Sequence, residues 1–203
     1  MMRYPEFFDA APVIRMHDPL AEFLGAVQNG IMEYHYVDVV ALAGHSCPTV
    51  ASAFLMLRAG LNALYPGEVP ERGGVGVEFQ GQAEEGVVGV MANVASFITG
   101  ATQTAGFKGL GGRFDRRGLL DFGAEIGMEM RLTRKDIGRS AEVSARLESV
   151  PIDPRVHQLL PLCLSASDNQ QALEEFQTLW QDRVRRLLLE HANDPEVIRA
   201  GTN

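Results

Sequence analysis

The pattern of apolar and polar positions predicts helices at both ends of the chain and strands between them. Asp18 and Pro19 are typical of a helix start, because aspartate caps a helix and proline suits its first position. Apolar residues follow at helical spacing, namely Leu20, Phe23, Leu24, Val27 and Ile31. This spacing predicts a helix at about 19–32. The segment 34–43 fits either a short strand or a buried helix, and a second apolar stripe predicts another helix at 48–65.

The middle of the chain has the composition of strands joined by turns. Strands are predicted at 75–80, 87–90, 119–122, 127–133 and 141–147. The polar stretches 84–86 and 135–138 predict hairpin turns between neighbouring strands. The segment 93–98 fits either the start of a helix or a buried strand. The stretch 100–118 is rich in glycine, and we expect it to be irregular.

The composition changes again after Pro151. Asp153 and Pro154 predict the start of a short helix, and Ser167 with Gln170 predicts a capping box for a long amphipathic helix that ends near 192. Helices, then strands, then helices favour an α+β fold, with helices packed on a mainly antiparallel sheet. We therefore expect a core domain at 1–150 and a C-terminal helical extension at 151–203.

The charge of the chain narrows the classes of partner. Its 203 residues carry a net charge of -8, with a pI near 5.1. This balance argues against nucleic acid as a main partner and against a polybasic membrane anchor. There is no apolar run of about 18 residues, as a membrane-spanning helix would need, and no apolar signal-peptide core near the N-terminus. We expect a cytoplasmic protein whose two cysteines, Cys47 and Cys163, form no disulfide.

The candidate chemistry centres on His45 and Cys47 in the segment Gly44-His45-Ser46-Cys47-Pro48. In an extended segment, side chains two residues apart face the same way. Imidazole nitrogen and thiolate sulfur are both ligands for zinc and similar metals. Cys47 also precedes a predicted helix, whose N-terminal dipole would favour a thiolate. The alternative is a cysteine packed as a small hydrophobe beside a histidine that caps a loop.

A metal needs three or four ligands, so a pair is not enough. His17 is the candidate third ligand; His35, His157 and Asp38 are further options, and each of these histidines also fits a structural role. A metal on a twofold axis, with ligands from two copies of the chain, would also complete the site.

The glycine-rich stretch is a candidate anion site. Around Lys108 it carries Arg113, Arg116 and Arg117, and its glycines let backbone N–H groups approach a ligand. A carboxylate or phosphate could bind there. The alternative is a flexible surface loop with solvated arginines.

These residues resemble a known family. Gly44-His45-Ser46-Cys47-Pro48, followed by Thr99-Gly100-Ala101-Thr102 and Phe107-Lys108-Gly109, is similar to the E-type formylmethanofuran dehydrogenase family over about 18–147. The resemblance implies an α+β core domain, often dimeric, with a metal, usually zinc, near the histidine and cysteine. It matches His45 and Cys47 to those positions and Lys108 to a lysine of the family's glycine-rich loop.

The sequence departs from the family pattern at three positions. Ala43 stands where the family commonly has a second histidine, Ala101 where it commonly has a cysteine, and Thr49 where it has a glycine. The family's optional C-terminal zinc finger has no counterpart here, because the tail lacks a cysteine cluster. Two ligands of the family pattern are therefore missing.

Three functions follow as hypotheses. In the first, a homodimeric zinc protein acts on a small anionic substrate: His45, Cys47 and His17 hold the metal, Lys108 helps to hold the anion, and Cys47 and Lys108 are the candidate catalytic residues. In the second, Cys47 is the nucleophile of a metal-free thiol enzyme and His45 is its base. In the third, the chain is a non-enzymatic accessory protein that docks through its C-terminal helix.

Overall fold

A computed structural model of the chain describes residues 3–165 and 169–202. Its helices are α1 (Pro19–Phe23), α2 (Tyr36–Ala43), α3 (Pro48–Leu64), α4 (Val88–Thr99), α5 (Arg155–Leu164) and α6 (Gln170–Leu189). Its strands are β1 (Ile14–His17), β2 (Ile31–Tyr34), β3 (Val75–Phe79), β4 (Leu120–Asp121), β5 (Met130–Arg134), β6 (Ser140–Ala145) and β7 (Ile198–Thr202). Short 3-10 turns lie at Glu6–Phe8, Gln28–Gly30 and Leu147–Ser149.

Within the described residues the strands form two sheets. β1 and β2 make an antiparallel pair. The larger sheet has the order β4-β3-β5-β6-β7 and is antiparallel except for the short parallel pairing of β3 with β4. Helices and a mainly antiparallel sheet share one core, so the predicted α+β class is confirmed.

Helix α3 lies at the centre of this core. It packs on β5, β6 and β7 and also contacts α2, α4 and α6. Most of its side chains are buried, including Phe54, Leu57 and Leu61. Gly60 brings the helix close to the sheet, because a Cβ at this position would overlap Leu132 and approach Val143 to 3.2 Å. The loop before α3, which carries the candidate chemistry, is thus mounted on the best-packed helix of the fold.

Strand β3 shows why alternating segments are predicted correctly. Val75, Val77 and Phe79 face the core, whereas the residues between them are half-buried. The predicted strands at 119–122, 127–133 and 141–147 correspond to β4, β5 and β6. The predicted turn at 135–138 joins β5 to β6, where Gly138 N–H donates to the Arg134 carbonyl at 2.8 Å.

The helix predicted at 19–32 is wrong beyond its first five residues. Asp18 does cap α1, and its carboxylate accepts from the N–H groups of Leu20 and Ala21. The backbone then turns through positive φ at Gly25, Asn29 and Gly30, where an α-helix cannot continue, and residues 31–34 become β2.

The strand predicted at 87–90 and the hairpin turn at 84–86 are also wrong. Residues 88–99 form α4, which absorbs the segment 93–98, and residues 36–43 form the helix α2. Short apolar runs do not distinguish a buried strand from a buried helix, and both of these helices have a buried face. Strands β1 and β7 were not predicted.

The C-terminal region adds to the same sheet and core. β7 pairs with β6, and α6 packs against α3 and α5. Ser167 of the predicted capping box lies outside the described residues; the side chain of Asn169 caps α6 by accepting from Ala172 N–H. No helix in the described ranges combines the length and the hydropathy needed to cross a bilayer.

Candidate thiol–imidazole site

His45 and Cys47 lie in the short loop between α2 and α3. Gly44 ends α2 with a φ of 74°, a left-handed conformation that glycine adopts easily. Cys47 is extended and caps α3, and Pro48 occupies the first helical position. The loop is therefore fixed at one end by a glycine turn and at the other by a helix cap.

The two side chains converge as the spacing predicted. Cys47 Sγ lies 3.3 Å from His45 Nε2. His45 Nδ1 lies 3.0 Å from the Ala43 carbonyl oxygen, which can only accept a hydrogen bond. Nδ1 must therefore carry the proton, and in the neutral ring Nε2 is the free acceptor that faces the thiol. This arrangement is suited to accepting the thiol proton.

The helix terminus stabilises negative charge on the sulfur. Val50 N–H donates to Cys47 Sγ at 3.5 Å. The positive end of the α3 dipole adds to this contact, because an anion at a helix N-terminus is favoured. Cys47 is half-buried and His45 is exposed, so the thiol is sheltered while the imidazole meets solvent.

Ser46, between the two, anchors the loop to α6. Its hydroxyl donates to Gln181 Oε1 at 3.0 Å and accepts from the Tyr36 hydroxyl at 3.0 Å. Its carbonyl accepts from Trp180 Nε1 at 3.0 Å and from Gln181 Nε2 at 3.2 Å. Burial raises the pKa of Tyr36 well above its ordinary value of 10, so this phenol stays a neutral donor. Nothing in the sequence identified this anchor, since Ser46 and Gln181 are 135 positions apart.

A small cleft of about 140 Å³ opens beside His45, between α2 and α4. It is lined by Leu42, Ala43, His45, Val90, Asn93 and Val94. None of these six side chains is an acid, a lysine or an arginine. The sequence placed Asn93 near the glycine-rich stretch, whereas the fold places it beside the imidazole.

His17 lies apart from the pair. It ends β1, forms an ion pair with Glu22 at 2.8 Å and borders a different cavity with Tyr65 and Glu68. Across residues 3–165 and 169–202, no three His, Cys, Asp or Glu side chains are grouped so that they could hold one metal ion. The expected ligand set of His45, Cys47 and His17 is therefore not assembled within one chain.

Two of the other candidate ligands have structural contacts of their own. His35 and Asp38 form a capping box at the start of α2, where His35 N–H donates to the Asp38 carboxylate at 2.8 Å. His157 is exposed on α5.

The glycine-rich stretch is irregular, as predicted, but three of its cations have partners within the chain. Arg116 is buried and pairs with Asp18, Arg117 pairs with Asp115, and Arg113 lies over the Phe114 ring. Lys108 is exposed and, among the residues that the structure describes, makes no hydrogen bond or ion pair. It does not line the cleft beside His45.

We find no protein-family model that matches this chain and no curated protein similar to it.

Proposed function

We propose that this protein is a thiol enzyme in which Cys47 is the nucleophile and His45 is its general base. The observation that carries the proposal is the 3.3 Å contact between Cys47 Sγ and His45 Nε2, with the second ring nitrogen held by the Ala43 carbonyl. Nucleophile, base and a group that orients the base are the three parts of a nucleophilic centre.

The chemistry follows from these contacts. Nε2 takes the proton of the thiol, and the Val50 N–H and the α3 dipole stabilise the thiolate. The thiolate attacks an electrophilic carbon, and the imidazolium then returns its proton to the leaving group. The anchor of Ser46 to Trp180 and Gln181 holds the loop in place during these steps.

Alkylation by iodoacetamide tests the proposal, with Cys163→Ser as background so that Cys47 is the thiol measured. We expect the rate to reach half its maximum at a pH below about 8.5, the value of an ordinary cysteine thiol. Loss of the base in His45→Asn should slow the reaction at neutral pH by about 100-fold or more. A rate profile equal to that of free cysteine, and unchanged in His45→Asn, would refute the proposal. His157→Asn, an exposed histidine on α5, is the matched control.

Zinc binding by a dimer is a second candidate function. A zinc-bound histidine typically donates its other ring N–H to a carbonyl, as His45 Nδ1 does to Ala43. The resemblance to the E-type formylmethanofuran dehydrogenase family also favours zinc. One chain supplies only His45 and Cys47 within its described residues, so a closed site would need the same pair from a second copy.

Elemental analysis and sedimentation of untagged protein test the second candidate. We expect one zinc ion per dimer, lost together with the dimer in Cys47→Ser but kept in Cys163→Ser. A zinc-free or zinc-loaded monomer would contradict it.

A further inference from the structure

We propose that the cleft between α2 and α4 binds an uncharged short-chain acyl group, which Cys47 accepts as a thioester. This inference rests on the proposed thiol function and names its substrate class. An activated ester or thioester would be the donor. The new C–S bond forms as the bond from the acyl carbon to the leaving group breaks; the thiol proton passes to His45 Nε2 and then to the leaving group. No oxidant or reductant is needed.

His45 connects the cleft to the thiol. It lines the cleft, and its Nε2 atom lies 3.3 Å from Cys47 Sγ. A ligand held in the cleft is thus next to the base that activates the nucleophile. This position at the reacting pair distinguishes the cleft from the larger cavities bordered by His17 or by Arg116.

The lining sets the polarity of the ligand. Leu42 and Ala43 at the end of α2 face Val90 and Val94 of α4, so the walls are mostly apolar. A charged group would lose its hydration there without gaining an ionic partner, which is costly. The cleft therefore favours an uncharged alkyl chain over the anionic substrate suggested by the glycine-rich stretch.

The volume sets the length of that chain. A water molecule takes up about 30 Å³ of liquid, so a cleft of about 140 Å³ has room for roughly five non-hydrogen atoms. A butanoyl group, with four carbons and one oxygen, is of this size. Longer chains would extend into solvent or clash with the walls.

Asn93 supplies the polar contact. Its side chain lines the cleft from α4 and makes no hydrogen bond within residues 3–165 and 169–202. The amide N–H₂ can donate to the carbonyl oxygen of a bound acyl group. Asn93 is therefore assigned as the residue that positions the acyl carbonyl beside the thiol.

Acylation by p-nitrophenyl acetate, butyrate and octanoate tests the inference in the Cys163→Ser protein. The release of p-nitrophenolate and the mass of the acylated chain are measured together. We expect butyrate to react at least about tenfold faster than octanoate. Val90→Trp, which fills the cleft, should reduce the butyrate rate about tenfold or more while acetate is affected less. Val87→Trp, three residues earlier on an exposed position outside the lining, should change neither rate.

Further variants keep the test clear of folding defects. Leu42→Trp fills the cleft from an exposed position of α2 and should act like Val90→Trp. Asn93→Leu should slow all three esters alike and leave the chain-length preference intact. Equal rates for the three esters, in a protein whose Cys47 reacts rapidly with iodoacetamide, would overturn the acyl cleft and leave the thiol function standing. A Cys47 that is inert to both reagents would overturn both.

Discussion

Asp18 illustrates how much one buried side chain can connect. Its carboxylate caps α1 and also accepts from Arg116 Nη2 at 2.8 Å and Arg72 Nη1 at 2.9 Å. Arg72 in turn donates to the Phe97 and Ile98 carbonyls at the end of α4. Burial alone would raise the pKa of Asp18, but the Ala21 N–H and the two arginines outweigh it and lower that pKa below 3.8. One carboxylate thus joins the start of α1, the glycine-rich stretch and α4.

Asp18→Asn should be strongly destabilising for this reason. The variant keeps the shape and the capping oxygen but leaves the buried Arg116 charge without its counter-ion, which costs about 3–5 kcal/mol. Asp182→Asn, whose arginine pairs are on the surface of α6, should cost no more than about 1 kcal/mol. Urea unfolding at neutral pH measures both free energies of unfolding.

The pH dependence of the Asp18 effect has a definite sign. A carboxyl whose pKa is lowered by folding contributes stability above its unfolded value, and that contribution is lost as the pH falls through the folded value. The difference between wild type and Asp18→Asn should therefore be full at neutral pH and shrink below pH 3.8. A difference that widens in acid would contradict this account.

At the scale of elements, periodicity succeeded where one face is buried and failed where the backbone decides. β3 and α3 have clear patterns of period 2 and 3.6, and both were predicted. The apolar spacing over 19–32 is equally regular, but residues Gly25, Asn29 and Gly30 turn the chain out of the helix. Spacing records which residues are buried and does not record a left-handed turn.

The site was predicted in part for a related reason. His45 and Cys47 are two residues apart, so local geometry alone brings them together. Ser46–Gln181, Ser46–Trp180 and the approach of Asn93 to His45 depend on how distant helices pack. Such contacts have no local pattern, and for the same reason the sequence suggested His17 as a ligand although the fold places it elsewhere.

The close approach of α3 to the sheet gives a prediction at this scale. Gly60→Ala should improve helix propensity by about 1 kcal/mol, yet its Cβ overlaps Leu132. Overpacking of this kind costs about 1–3 kcal/mol, so we expect a net loss in the free energy of unfolding or little change, and no gain of stability.

A double variant checks the cause. Leu132→Val removes the overlapping methyl group and should restore part of the stability lost in Gly60→Ala. Thermal melts of the two single variants and the double variant give the coupling; additive effects would exclude the proposed overlap.

At the scale of the whole molecule, the last strand completes a sheet that begins much earlier. β7 pairs with β6 through five residues, from Ala141 opposite Thr202 to Ala145 opposite Ile198. It also covers part of α3. The final strand is therefore needed for the edge of the sheet as well as for the core.

Removal of residues 198–203 should destabilise the protein and promote self-association. The deletion uncovers the unpaired N–H and C=O groups of β6, and exposed strand edges pair with other chains. Urea unfolding and sedimentation measure the two effects. Arg199→Ala, an exposed position on β7, is the control and should stay within about 0.5 kcal/mol of wild type. A monomeric, fully stable truncated chain would show that β7 is dispensable.

The contact between the Trp180 indole N–H and the Ser46 carbonyl has an optical consequence. The chain contains one tryptophan, so its emission comes from a single place, one residue away from the reactive sulfur in the bonded loop. Covalent modification of Cys47 should shift the wavelength or intensity of that emission, and the same reagent applied to Cys47→Ser should leave the spectrum unchanged. The protein thus carries a built-in fluorophore with which occupancy of its thiol can be followed in real time, without a dye.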